Sequence, residues 1–185
     1  VCKRLILPAE NKTKNDRTIS QQQQQHQTVN FPYQNDQQLN RIIKHLNDIT
    51  NGNCHLNHTI EITCSKFCCG KIETLVDFNN LGGFTHVNGN PTPRWLQIDF
   101  KSRKIQINNY LIRTSNGEHS YHIRSWTVEI SNDCSNWEKI DEQNEVQELN
   151  GYNRSKTFNI EMTKPFRFIR FITSKPNFYN DNGFS

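Results

Sequence analysis

The sequence is short of apolar residues. Hydrophobic residues make up 33% of the 185-residue chain and Ala9 is its only alanine, whereas globular domains are typically about 45–50% apolar. No apolar run approaches the roughly 18 residues that a membrane-spanning helix requires. We therefore expect no membrane partner, and the roughly 135 residues after the very polar first 50 suffice for one small core.

The sequence also lacks the common catalytic signatures. It contains no G-x-S-x-G, H-E-x-x-H or phosphate-binding loop. A catalytic nucleophile needs an oriented base beside it, and no local motif supplies such a pair. We expect no enzyme and no cofactor.

Basic charge is not concentrated in the chain. The first 50 residues carry 7 basic and 4 acidic side chains, and the rest carry 15 and 14. A nucleic-acid interface needs basic residues gathered on one face. The one tight basic cluster, Lys101–Lys104 (K-S-R-K), is typical of a polar hairpin turn, so we expect no nucleic-acid partner.

The six cysteines do not form a regular disulfide pattern. Cys68 and Cys69 are adjacent, Cys2 lies near the beginning of the chain, and Cys134 lies in a predicted turn. This spacing predicts free thiols and hence an intracellular, cytoplasmic location. Three N-x-S/T sequons occur, at Asn11, Asn57 and Asn153, and in so asparagine-rich a chain we attribute them to chance.

Zinc is the alternative role for the cysteines. Six ligand-type residues fall within sixteen positions: Cys54, His55, His58, Cys64, Cys68 and Cys69. The closest pairs are immediate neighbours, and neighbours on a strand point to opposite faces. We therefore predict no metal site, while a calcium ion in the loop at Asp77 is left open.

The first 36 residues differ from the rest. A glutamine run at 21–25 makes this segment low in complexity, which predicts a disordered polar linker or tail and a further domain upstream. The next segment, 37–48, places Leu39, Ile42, Ile43 and Leu46 on one face of a short helix. We treat 37–185 as one domain.

From Thr59 onward, apolar residues alternate with polar ones, as in half-buried antiparallel strands. The residues predicted to face the core include Ile60, Ile62, Trp126, Val128, Ile130, Phe158, Ile160, Met162 and Ile169. The alternation shifts phase near Asn108, which predicts a β-bulge. Arg167 and Arg170 are expected on opposite faces of the last strand, one of them paired with an internal carboxylate. The predicted fold class is all-β, an antiparallel jelly-roll β-sandwich.

Three segments resemble one family. W-L-Q-I-D-F at 95–100, W-T-V-E-I-S-N-D at 126–133 followed by Trp137, and R-F-I-R-F at 167–171 are similar, in that order, to motifs of the coagulation factor 5/8 type C, or discoidin, domain. The resemblance covers about 43–185 and is closest to intracellular protist and BTB-associated copies. It departs from secreted members because their terminal cysteine pair and a closing strand after Ser185 are missing.

The resemblance implies an eight-stranded jelly roll that binds sugars, phospholipid headgroups or proteins through loops at one end. Those loops fall here at 66–72, 77–93 and 115–124, and only Leu81 and Phe84 could serve as lipid-binding apolar tips. We therefore predict a non-enzymatic module for a protein or glycan ligand, with a ligand-free adaptor domain of a larger BTB-like protein as the alternative. The candidate ligand-binding residues are Asp77, Asn79, Asn80, His86, Asn88, His119, His122 and Arg124.

Arg124 has two interpretations. It could grip a carboxylate or vicinal hydroxyls in bidentate fashion. It could also merely solvate the start of the Trp126 strand, as charges at loop edges often do.

Overall fold

The computed structural model describes residues 2–7, 27–32, 42–65, 68–77, 85–86, 93–116 and 122–178. In these ranges the chain forms one α-helix, twelve strands and two short 3₁₀ helices at Ile72–Val76 and Gln147–Leu149. The helix is α1 (Ile42–Ile49), and the strands are β1 (Cys2–Leu7), β2 (Gln27–Pro32), β3 (Glu61–Cys64), β4 (Cys68–Cys69), β5 (Thr85–His86), β6 (Trp95–Asp99), β7 (Lys104–Gln106), β8 (Asn109–Arg113), β9 (Trp126–Ser131), β10 (Glu138–Gln143), β11 (Ser155–Asn159) and β12 (Phe168–Thr173).

The largest sheet has five antiparallel strands in the order β10-β9-β12-β6-β3. Its inner face is apolar because the strands alternate as the sequence predicts: Trp126 and Val128 are 0% exposed and Ile130 is 4% exposed. The edge strand β10 is rich in charge and its register shifts between Lys139 and Asp141. Both features discourage further strand pairing at that edge.

The opposing layer is built from two smaller antiparallel sheets, β2-β1-β7 and β11-β8. Tyr110 of β8 and Phe158 of β11 stack with ring centroids 5.1 Å apart, and Phe158 meets the Trp126 ring edge-on, also at 5.1 Å. Aromatic packing of this kind joins the two layers. The predicted antiparallel jelly-roll sandwich is confirmed.

The helix prediction is confirmed from Ile42 to Ile49, where Ile42 and Leu46 are buried. Leu39 lies outside the described residues. The side-chain amide of Asn47 donates to the Val76 carbonyl at 2.6 Å and its oxygen accepts from the Cys54 N–H at 2.8 Å. The first bond holds α1 against the 3₁₀ helix Ile72–Val76, and the second holds it against the turn at Cys54.

Two strands lie within the segment that the sequence predicts to be disordered. β1 and β2 pair over six residues each, and Leu5 is in register with both Val29 and the buried Ile105 of β7. Val29 packs against the core.

Two details of the strand pattern differ from the sequence prediction. Met162 is 49% exposed, because β11 ends at Asn159 and the chain leaves the sheet before the third predicted inward position. The phase shift near Asn108 is a break between β7 and β8 rather than a bulge within one strand. The ladder continues across it through hydrogen bonds between Thr163 and Ile107 and from Ile160 N–H to the Asn108 carbonyl.

Both arginines of the last motif form ion pairs. Arg167 donates two hydrogen bonds to Asp99, at 2.7 and 2.8 Å, and Arg170 bonds Glu129 at 2.7 Å. Asp99 is buried, which confirms the predicted pairing with an internal carboxylate. The expectation of opposite faces is wrong. Arg167 lies over the Phe168 ring and Arg170 over the Trp137 ring, and these two rings contact each other.

Candidate functional site

The beginnings of β6 and β9 and the end of β12 lie together at one end of the five-stranded sheet. β9 begins at Trp126, which pairs with Thr173 at the end of β12, while Ile172 pairs with Trp95 at the beginning of β6. The turn before β11 (150–154) reaches the same end, because the Gly151 N–H donates a hydrogen bond to His122, close to the start of β9. Backbone hydrogen bonds join residues 114 and 115, which follow β8, to the same turn. We call this the loop end, defined by residues 114–116, 122–125, 144–154 and 174–178.

His122 is a buried residue that links two segments of the loop end. It is 1% exposed, and its Nδ1 accepts a hydrogen bond from the Gly151 N–H at 3.3 Å. Burial lowers the pKa of His122, and the nearby Ser115 carbonyl offsets only part of that effect. The neutral imidazole therefore holds two loops together and is itself covered.

Arg124 is a partly exposed charged residue of the loop end. Its side chain is 24% exposed and forms an ion pair with Glu145. Nη2 donates a hydrogen bond to Oε1 at 3.2 Å, whereas Nε lies 3.0 Å from Oε2 without forming a hydrogen bond. Lys175 Nζ lies 3.6 Å from Oε1 of the same carboxylate. The hydrogen bond from Nη2 and the charge contact at Nε orient the Arg124 guanidinium against Glu145 before any ligand arrives.

Two aromatic rings accompany these charges. Tyr152 is 55% exposed and meets the His122 ring edge-on at 6.1 Å. The Arg124 guanidinium carbon lies 5.8 Å from the centre of the Phe178 ring. The loop end thus combines donors, an acceptor and apolar ring faces.

Buried hydroxyl groups make the loop end rigid. Ser125 Oγ accepts from the Glu145 N–H at 3.0 Å, and the Arg124 carbonyl accepts from the Val146 N–H at 2.9 Å. On the other side, Thr114 Oγ donates to the Gly151 carbonyl at 2.7 Å. These bonds place Glu145 and Tyr152, both from the connection between β10 and β11, around His122 and Arg124.

Only part of the predicted site is found at the loop end. His122 and Arg124 lie there, two residues apart, whereas Asp77 ends the 3₁₀ helix that packs on α1 and donates its N–H to the Thr74 carbonyl at 3.2 Å. The backbone of His86 belongs to β5 and pairs with Cys68. The side chain of His86 and all of Asn79, Asn80, Asn88 and His119 lie outside the described residues, so their predicted role is untested.

Sequence reasoning missed four residues at the loop end: Glu145, Tyr152, Lys175 and Phe178. They lie outside the three loops that the family resemblance implies as ligand-binding. One signal was available, because Asn150-Gly151 marks a turn and an aromatic residue follows it directly. Glu145, by contrast, has no distinguishing local pattern.

The described part of the chain bears on the cysteine and metal predictions. Cys64 is disulfide-bonded, so the expectation of six free thiols is wrong at this position, while Cys54 and Cys134 are free. Burial raises the pKa of the Cys54 thiol to about 11, which leaves it protonated and a poor nucleophile near neutral pH. Among the described residues no three His, Cys, Asp or Glu side chains form a group that could hold a metal ion.

The basic cluster forms a turn, as predicted, but its cations have protein partners. Lys101 pairs with Glu61 and Asp99, Arg103 donates to the Thr59 carbonyl at 3.0 Å, and Lys104 bonds Asn132. Within the described residues, no helix has the length and hydrophobicity needed to cross a bilayer.

The motif S-N-D-C-S-N-W forms the turn at the opposite end of β9. Asp133 Oδ1 accepts from the N–H groups of Asn136 and Ser135 at 2.8 and 2.9 Å, and Ser131 Oγ donates to it at 3.0 Å. Hydrogen bonds, first from Asn136, hold the pKa of Asp133 well below its usual range. This acidic residue is therefore committed to the turn.

Comparison with known proteins agrees with this framework. A model of the F5/8 type C domain family matches residues 62–184. Comparison with curated protein sequences gave no match.

Solved structures share the fold at low identity. A module of Clostridium perfringens, CpGH89CBM32-5, solved with GalNAc-β-1,3-galactose, has a TM-score of 0.53 and 13% identity over 65% of this chain and 87% of its own. The family 32 carbohydrate-binding module of C. perfringens NanJ, solved with galactose, has a TM-score of 0.50 and 12% identity over 64% and 85%. The family 32 module of AlyQ, solved with 4,5-unsaturated mannuronic acid, has a TM-score of 0.50 and 15% identity over 66% and 87%. Because the family model matches well over half of the sequence and the β-sandwich is present, the chain belongs to the F5/8 type C domain family.

Proposed function

We propose that this domain is a non-catalytic carbohydrate-binding module that holds its ligand at the loop end. The observation that carries the proposal is the fixed, partly exposed Arg124–Glu145 pair. A guanidinium offers parallel donors and a carboxylate offers parallel acceptors, which suits the adjacent hydroxyl groups of a sugar ring.

The surrounding residues support the same ligand class. The Tyr152 ring is exposed and could pack against the C–H face of a sugar, and Lys175 adds a further donor beside Glu145. A jelly roll buries its inner strand faces, so convergent polar groups are found at its loops. The solved relatives that contain galactose, GalNAc-β-1,3-galactose or 4,5-unsaturated mannuronic acid also favour a sugar as the ligand.

The proposal is tested by a glycan array followed by titration calorimetry with the best-bound sugar. Arg124→Met and Glu145→Gln should each weaken binding by about 10- to 100-fold, since a hydrogen bond to a charged group contributes about 1.5–3 kcal/mol. The matched control is Arg170→Met, which removes an arginine from a similar pair with Glu129 on the outer sheet face. This control should bind as the parent does.

Two results would refute the proposal. One is an array without any bound glycan, which would favour a protein ligand or an adaptor role. The other is parental affinity in both loop-end variants while each still unfolds cooperatively.

A further inference from the structure

Two sequons lie in turns that the structure describes. They are Asn57-His58-Thr59, after α1, and Asn153-Arg154-Ser155, at the loop end. In so asparagine-rich a chain the number of sequons is uninformative, whereas their positions in the fold are informative. Asn57 and Asn153 are both exposed, which is the first requirement for an acceptor of an N-linked glycan.

The local geometry at Asn57 is compatible with modification. Its Oδ1 accepts the Thr59 N–H at 3.1 Å, which closes an Asx turn across the sequon. Its Nδ2 donates to Thr50 Oγ at 2.8 Å. An amide nitrogen that carries a sugar retains one N–H, so the bond to Thr50 can persist after modification.

Asn153 is displayed on a tight turn. Its φ is +51°, a conformation that asparagine adopts more readily than most residues. Its main-chain N–H donates to the Ser115 carbonyl at 3.1 Å, and Ser155 is exposed at the beginning of β11. A backbone hydrogen bond therefore fixes the turn, and Asn153 is exposed on it.

An independent observation concerns the compartment. Cys64 is disulfide-bonded. Disulfides persist in secreted and lumenal proteins and are rare in the cytosol. N-x-S/T sequons are acceptors in proteins of the same secretory route. The disulfide argues against the cytoplasmic location expected from cysteine spacing. It favours a secretory compartment, in which exposed sequons can be glycosylated.

We propose that Asn57 and Asn153 are N-glycosylation sites. In the transfer, Nδ2 of asparagine forms a bond to the anomeric carbon of a polyprenyl-diphosphate-linked oligosaccharide. The bond from that carbon to the diphosphate oxygen breaks, the diphosphate leaves with the electron pair, and the amide gives up one proton. A glycan at Asn153 then lies next to Tyr152, at the rim of the loop end.

The test uses the full chain isolated from its own cells. Peptide N-glycosidase converts an asparagine that carries a glycan to aspartate, so peptide mass analysis before and after treatment reports each site. We expect aspartate at 57 and 153 after treatment and unchanged Asn136, which is exposed but outside any sequon. Unmodified asparagine at either position in the untreated chain would overturn the proposal for that position.

Matched variants separate loss of the acceptor motif from loss of folding. Thr59→Ala and Ser155→Ala should abolish modification of Asn57 and Asn153, whereas Thr59→Ser and Ser155→Thr should retain it. These changes leave the asparagines in place, which matters at Asn153 because its backbone conformation is strained for other residues. Modification that survives the alanine variants, or Cys64 recovered as a free thiol from native material, would contradict the inference.

Discussion

Replacing Tyr110 by phenylalanine removes one oxygen atom that joins the two layers of the sandwich. The hydroxyl accepts a hydrogen bond from Trp126 Nε1 at 2.9 Å and donates one to Asp141 on the edge strand β10. Trp126 is 0% exposed, so its N–H would remain buried without a partner. Phenylalanine preserves the ring and its stacking on Phe158, which makes the hydrogen bonds the main change.

The expected cost follows from these two bonds. An unsatisfied buried N–H costs about 1–3 kcal/mol, and a hydrogen bond to a carboxylate contributes about 1.5–3 kcal/mol. Asp141 is only half-buried and keeps contacts to the Gln143 amide at 3.1 and 3.2 Å, so water replaces part of the second bond. We expect Tyr110→Phe to lower the free energy of unfolding by about 2–4 kcal/mol in total.

Urea denaturation followed by tryptophan fluorescence measures this change, with the m-value expected to stay constant. The control is Tyr152→Phe, the same chemical change at an exposed tyrosine, which should stay within about 0.5 kcal/mol of the parent. Hydrogen exchange of the Trp126 indole N–H should accelerate only in Tyr110→Phe. Equal stability of the two variants would refute the assignment of Tyr110 as the partner of Trp126.

Three further predictions concern the framework and the loop end. Arg167→Met should destabilise the domain by about 1–3 kcal/mol. Burial raises the pKa of Asp99, but the hydrogen bonds from Arg167 and from the Lys101 N–H lower it by more, so the stabilisation from this pair is present above about pH 4 and is lost as the pH falls. The pH–stability curve of the variant should lack that decline at acid pH. Because burial lowers the pKa of His122, native stability should fall as the pH drops below about 6.5, and a His122→Gln variant that keeps this decline would contradict the assignment. Gly151→Ala should cost about 1–3 kcal/mol, since φ is +143° and a Cβ would lie 3.3 Å from Arg154 Nε, whereas Gly52→Ala, with no atom within 4 Å of its Cβ, should be nearly neutral in the same thermal melts.

Much of the fold could be predicted from the sequence because the signal is local. Alternation with a period of two identifies Trp126, Val128 and Ile130 as inward-facing. Helical spacing likewise identifies Ile42 and Leu46. The family motifs also form local structure. In the turn at 131–133 (S-N-D), for example, the Ser131 hydroxyl bonds both the side chain and the main-chain N–H of Asp133.

The same motifs explain why the family was easier to predict than the ligand. Asp99 and Arg167 come from the first and last motifs and bond each other, while Asp133 closes a turn at the far end of β9. These residues stabilise the β-sandwich, and their polar groups form hydrogen bonds within the protein, not with a ligand. Their presence therefore predicts the β-sandwich without predicting what it binds.

By itself, the sequence determined the strand pattern, the helix and two members of the loop end, His122 and Arg124. Only the tertiary structure decided their partners, because Glu145 and Tyr152 approach them from loops separated by more than twenty positions in the chain. It likewise decided that Cys64 is disulfide-bonded and that β1 pairs with β7, about a hundred residues away. Local periodicity reflects how each segment meets the core, whereas contacts between distant loops depend on how the whole chain closes, and no local pattern encodes them.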